Sequence, residues 1–434
     1  MRIGLIHYRA GLMDGVSLEM EKWKKVLTGM GHEVDIVAGN AAPGVDVIIP
    51  EIEYNDEANE KLNLKLYGHE PATEREIHEE LSIRTSQILG SFRYALSGYD
   101  LVIPNNIWSL GWSVPSGLAL HDFAEESGKS FISHNHDFWW DRPYYRSPYG
   151  SVMELLNNNF PPDLENVRNL AINSISASDL LARRGIRATV VPNVMDFRCM
   201  SWVLEENNRK FRNAAGIDDG DIVFLQATRI TERKAVETAI RLTAEFRKIA
   251  EGFVGKKLYC NKVFTGRTVL VLTGLTEKQS LNYRNKLDSL ASRLGVEVID
   301  ISSLTSSIQQ SFFESYSIAD IVVYPTVYEG WGNQLLEALF ARKPIALFRY
   351  SVFKSDIQDS GISFVDLGDQ YSYIEGLVEV PELNLKRASE DTLGLLFDPE
   401  RYREVTESNF ELGSRKFSFE TLSTIIRELV EEPL

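Results

Sequence analysis

The chain has 434 residues, 44% hydrophobic and 25% charged, with a formal charge of −16. That length exceeds one ordinary core and predicts two domains of about 200 residues each; the acidity disfavours nucleic acid and anionic membrane surfaces, so an anionic substrate must be met by local Arg and Lys. Cys199 and Cys260 show no paired spacing, which argues against a disulfide scaffold or a zinc ribbon and fits a cytoplasmic protein.

The opening, Met-Arg-Ile-Gly-Leu-Ile-His-Tyr, reads as a strand and not as a signal region. No run approaches the roughly 20 apolar residues of a membrane span. The acidic early helices also make peripheral membrane work less expected. Strand-like runs follow at 3–7, 34–37, 47–49, 101–104, 131–134, 172–177 and 189–191, with a helix over 17–30. Such alternation predicts an open, mostly parallel sheet covered by helices. The charged stretch 51–97, with a helix over 73–96, reads as an insertion. The pattern pauses over 192–222, the expected hinge, and then resumes: strands at 223–227, 269–273, 296–299, 321–324 and 345–348, and helices at 235–250, 279–294 and 333–341. The fold class is therefore α/β, two Rossmann-like units with a ligand cleft expected between them.

Four loops carry candidate chemistry. In the first, over 10–17, Gly15 permits close backbone approach, and Asp14 or Ser17 equally suits a helix cap. The second, Ser-His-Asn-His-Asp-Phe-Trp-Trp-Asp-Arg over 133–142, follows apolar residues at a strand's carboxyl end. His134, His136 and Asp137 there also suit a divalent metal, although no second cluster completes the coordination. With Asn105, Asn106 and Trp108 from the neighbouring run, Trp139, Trp140 and Arg142 suit a sugar face and an acidic group. The competing reading packs both tryptophans into the domain and pairs Arg142 with Asp137 or Asp141. The third loop, 226–234, sets Arg229 and Lys234 at a strand end. In the fourth, a strand stopped by Pro325 leads through Glu329, Gly330 and Gly332 into a helix begun by Asn333, with Glu337 one turn inside. Glycines and helix N–H groups there favour phosphate, and Glu337 suits a vicinal diol.

The spacing of Glu329 and Glu337, with the alanine and Lys343-Pro344 that follow, resembles the E-x7-E element of the family 4 retaining glycosyltransferases. The resemblance covers both halves, densely over 220–370. It implies a GT-B fold: an N-terminal domain over 1–198, a nucleotide-sugar domain over 199–415, and a terminal helix, 416–434, crossing back to the first domain. It sets Glu329 by the donor hexose, Glu337 on the ribose, and Arg229 and Lys234 on the diphosphate. Gly15, Gly274, Gly330, Gly332, Asn333 and Gln334 complete the donor set. Arg233 falls outside the pattern and reads as a loop cation. His136 and Asp137 match the family's His-Asp pair, with His136 beside the hexose. Asn106, Asp137, Trp139 and Arg142 are expected on the acceptor side, and the His136–Arg142 run resembles that of relatives making glycosylglycerate-type solutes. Two departures stand out: Val194-Met195 replaces a usual Gly-Val after Asn193, and 349–357 lacks a glycine pair.

The implied activity is transfer of glucose or mannose from a UDP- or GDP-hexose to a small hydroxy acceptor such as a glycerate or sugar-glycerate, without a metal or other cofactor. Alternatives are a glucan or lipid acceptor, a sugar-nucleotide epimerase of the same architecture, a glycosidase using the two glutamates, a metal hydrolase at 134–137, and a noncatalytic carbohydrate binder.

Overall fold

The computed structural model of the protein describes residues 1–12, 14–198, 205–274, 276, 280–302 and 312–431. Met13, Cys199 and Gln279, each named or spanned above, lie outside them. The chain divides into two compact units, Met1–Val194 with Phe419–Leu434, and Met195–Ser418. The first boundary thus falls between Val194 and Met195, four residues before the expected one.

The first unit is built on seven parallel strands: β1 Arg2–His7, β2 Glu33–Ala38, β3 Val47–Ile48, β4 Leu101–Pro104, β5 Ser130–Asn135, β6 Val167–Ala171 and β7 Ala188–Val190. Their spatial order is β3-β2-β1-β4-β5-β6-β7. Strands covered on both faces must be apolar on both, and β1 shows how the faces divide. Ile3 and Leu5 pack with Met20, Trp23 and Leu27 of helix Gly15–Gly29 and with Leu422 and Ile426 of helix Phe419–Glu431. Ile6 points the other way, among Phe92, Leu120 and Phe131. The last helix is thus a structural part of this unit's core.

One predicted strand does not exist. Over 172–177 the alternation Ile-Asn-Ser-Ile-Ser-Ala imitates a strand, but the pairing strand is Val167–Ala171, and Asn173 caps helix Ser174–Arg184 by accepting from the Ser176 amide at 2.7 Å. A good N-cap residue thus ends the extended run three residues after it looks apolar. The 51–97 stretch forms helices Glu57–Leu66 and Glu74–Ala95, the second opened by a reciprocal Thr73–Glu76 capping box.

The second unit repeats the plan with β8 Ile222–Gln226, β9 Thr268–Leu272, β10 Glu297–Asp300, β11 Ile321–Tyr324, β12 Ile345–Leu347 and β13 Val365–Asp366, in the order β10-β9-β8-β11-β12-β13. Each sheet therefore has one point where the strand order reverses, between β1 and β4 in the first unit and between β8 and β11 in the second. Loops leaving the carboxyl ends there diverge to opposite faces and open a crevice.

Candidate active site

At the reversal point of the second unit, two strand-end loops are stitched together. Gln226 at the end of β8 donates its amide to the Lys234 carbonyl at 2.9 Å, which closes the 227–234 loop on itself. The Arg233 carbonyl then accepts from the Val327 amide at 3.0 Å and from the Thr326 hydroxyl at 3.1 Å, both beyond the end of β11. Gly274, after β9, backs the same loop so closely that a Cβ there would lie 1.9 Å from the Thr228 carbonyl oxygen.

This interlock fixes a cluster of charge. Glu329 is gripped by the Lys234 ammonium, by Arg233 Nη1 at 2.9 Å and by the Thr326 hydroxyl at 3.0 Å. Burial opposes its ionisation, but the Lys234 and Arg233 charges and hydrogen bonds outweigh burial and bring its pKa down to about 2. Burial conversely lowers Lys234 from its usual range, with Glu329 opposing and Arg233 and Arg229 assisting. Arg229 is exposed, within electrostatic reach of Lys234.

Beyond Glu329 the loop turns at Gly332, whose φ of +141° and 2.2 Å distance from a built Cβ to the Tyr350 hydroxyl leave no room for a side chain. Helix Asn333–Phe340 begins immediately after it. Glu337, 8% exposed, accepts a hydrogen bond from the Tyr316 hydroxyl. The Gln334 amide is 4% exposed, with neither of its polar atoms partnered among the described residues. In the 349–357 segment, Arg349 pairs with Asp366 at 3.1 Å and Tyr350 donates to the Trp331 carbonyl, so aromatic and ionic contacts hold this loop where a glycine pair was missing.

At the reversal point of the first unit, three histidines meet at Asn105. His7 Nδ1 donates to its carbonyl at 2.7 Å, while His134 Nδ1 and His136 Nε2 share its side-chain oxygen at 3.0 and 3.3 Å. Burial holds all three below the ordinary range, His7 at about 4, His134 at about 3 and His136 well below, so each is neutral at pH 7. Neutral His136 donating through Nε2 keeps Nδ1 as an acceptor. Asp14 caps helix Gly15–Gly29 through the Val16 and Ser17 amides, and open space surrounds the position a Gly15 Cβ would take.

The acceptor-side expectations divide. Arg142 binds Asp137 at 2.9 Å and half of its side chain is exposed. Trp139 does not offer a ring face to a ligand: it is 6% exposed, donates to the Phe160 carbonyl at 3.1 Å and packs with Leu62, Tyr145 and Leu156. The aromatic run that looked like a sugar platform is in this part core, because the 139–145 turns must cover an apolar surface. Trp140 stacks on Phe138 at 4.5 Å. Asn106, at φ +58°, commits its side-chain oxygen to the His136 and Asp137 amides at 2.7 and 3.3 Å and to Ser109, shaping the loop. Nor do His134, His136 and Asp137 gather as metal ligands; among the described residues the group with that geometry is His121, Asp122 and Glu125.

Four residues of these clusters, Arg233, Tyr316, Arg9 and Tyr54, carry no local signal of their contacts in the sequence. Arg233 reads as a loop cation yet grips Glu329. Tyr316 precedes β11 with no motif to mark its contact with Glu337. Arg9 lies over the Tyr54 ring at 4.0 Å, a contact between residues 45 apart that no local spacing signals.

Comparison with known proteins gives three findings. Residues 207–377 match the family described as Glycosyl transferases group 1. The chain is similar to the mannosylglucosylglycerate synthase of Thermotoga maritima, 44% identical over 428 residues covering 98% of this chain and 99% of that one, and to that of Petrotoga mobilis, 35% identical over 427 residues covering 96% and 98%. A glycosyltransferase structure from Rickettsia africae superposes with a TM-score of 0.64 at 13% identity, over 100% of this chain and 99% of that one.

Proposed function

The chain belongs to the group 1 glycosyl transferases, with an α/β fold of the GT-B class, and on that footing we propose that it moves one hexose from a nucleotide diphosphate sugar to a small acid of the glycerate or glycosylglycerate type, with retention of configuration. The interlock of the 226–234 and 326–329 loops carries this reading. It gathers what a sugar diphosphate needs: cations for the phosphates in Arg229 and Lys234, and a carboxylate for the hexose hydroxyls in Glu329. Helix Asn333–Phe340 adds N–H groups for phosphate and Glu337 for the ribose.

In the proposed reaction the bond between the anomeric carbon and the diphosphate oxygen breaks toward Arg229 and Lys234, whose charge stabilises the departing group. The acceptor hydroxyl forms the new bond from the same face and passes its proton to the departing diphosphate oxygen. Neither Glu329 nor Glu337 acts as nucleophile, and no metal is called upon. His136 accepts a hydrogen bond from a hexose hydroxyl. Support for an acidic acceptor comes from the names of the two full-length relatives and from Arg142 at the 133–142 loop.

Thermal unfolding with UDP, GDP and ADP tests the donor half. Saturation at a hundred times Kd stabilises by about 2.7 kcal/mol, and the reading predicts that one nucleotide does so in the wild type and far less in Glu337→Gln. Equal response of the two proteins, or of neither, contradicts it.

A further inference from the structure

We infer that Arg9 is a specificity-determining residue that, with Arg142, binds the carboxylate of the acceptor; this rests on the acidic-acceptor reading above and names a group in that site. Arg9 follows β1 and Arg142 follows β5, on either side of β4. Both therefore extend from the carboxyl edge of the first unit's sheet, at the strand-order reversal.

Their setting is that of a ligand-facing pair. The Arg9 guanidinium lies 4.0 Å from the centre of the Tyr54 ring, which stacks on Trp112 at 4.2 Å with 8° between the planes. With the guanidinium and the indole both against the one ring, the position of Arg9 is restrained. Tyr54 is also among the groups within electrostatic reach of Arg142, together with Asp137 and Tyr145. Neither cation is saturated by its protein partner. Arg9 touches Asp14 at 3.4 Å, but Asp14 is already the cap of its helix, accepting from Val16, Ser17 and the Ser17 hydroxyl. Arg142 meets Asp137 through one nitrogen. The side chains remain 31% and 50% exposed. A guanidinium offers five N–H donors, so each keeps donors for an incoming anion. In a chain of charge −16, one guanidinium on the Tyr54 ring and a second within its electrostatic reach discriminate between an acid and a neutral polyol.

Steady-state kinetics on the full chain test this, with one donor and two acceptors, glucosylglycerate and its neutral counterpart glucosylglycerol. For Arg9→Gln the expected result is an acid KM raised about 10- to 100-fold, the size of one lost charge-assisted contact, with the neutral acceptor's KM unchanged. Arg9→Lys recovers part of the loss. A parallel rise for both acceptors, or no rise for the acid, overturns the assignment and leaves Arg9 a support for Tyr54 and Asp14. Melting curves establish that both variants are folded; if the Gln variant is not, Arg9→Lys alone must raise the KM for the acid selectively. A wild type that uses the neutral acceptor as well as the acid overturns the acidic-acceptor reading itself, and the inference with it.

Discussion

Lys234 and Glu329, which the family resemblance sets on different parts of one donor, are hydrogen-bonded directly to each other, and Arg233 holds the carboxylate's second oxygen at 2.9 Å. The carboxylate thus answers two cations of the 226–234 loop. On the proposed reading a donor diphosphate competes with Glu329 for Lys234.

The pair gives a pH dependence with a definite sign. Glu329 has its folded pKa lowered to about 2, so its contribution to stability is complete above the unfolded value of about 4.3 and is lost as pH falls through about 2. Glu329→Gln leaves two cations close together without their carboxylate. Urea unfolding should show it less stable than wild type by about 2 to 3 kcal/mol at pH 7, with the difference narrowing below pH 4. A constant difference down to pH 3 would mean that the carboxylate is not ionised in the folded protein.

The three histidines at Asn105 act in a higher window. Their folded pKa values lie below the unfolded value of about 6.5. The unfolded chain therefore takes up protons first, and stability is full above pH 6.5 and falls as pH drops toward 4. Each neutral histidine adds a slope of about 1.4 kcal/mol per pH unit within that interval. Substituting His134→Asn should flatten the acid limb measurably. Turnover between pH 7 and 8 should show no titration assignable to His136, and a rate-controlling group near 6.5 that vanishes in His136→Asn would contradict its neutral state.

Arg229→Ala removes a cation whose proposed partner gains charge only as the diphosphate departs. Turnover should drop by about 2 to 4 kcal/mol of transition-state stabilisation, with the melting temperature nearly unchanged because Arg229 is exposed. Near-normal kcat would remove Arg229 from the donor site.

Gly274→Ala tests the backing of the same loop by a different route. With 1.9 Å from the added Cβ to the Thr228 carbonyl, the 228–234 segment must shift, costing about 1 to 3 kcal/mol of stability. Nucleotide affinity should fall along with it. A variant as stable as wild type would show that the loop yields freely.

The alternating strands were readable because buried parallel strands must be apolar through their length. The run at 321–324, stopped by Pro325, matches its strand residue for residue. At 172–177 the same logic failed, since an N-cap asparagine inside an alternating run looks no different from a polar strand residue. Glu329, Glu337, Arg229 and Lys234 stood out through motifs that resemble the family's, and the fold sets Glu329 against Lys234. Trp139 misled, because residue type alone does not say whether a ring covers core or ligand. Arg9 and Tyr54, or Tyr316 and Glu337, meet only through the fold, and pairs of that kind leave no local trace.

The most direct test of the account is a transfer assay on the purified full chain, with UDP- and GDP-hexoses supplied as donors to glycerate and glucosylglycerate and the products resolved by mass spectrometry and NMR. The expected products are an acceptor heavier by one hexosyl unit, with the donor's anomeric configuration kept, and one nucleoside diphosphate per transfer. Sugar release without a nucleotide donor, isomerised donor with no acceptor product, or transfer only to neutral lipids or long glucans would contradict it.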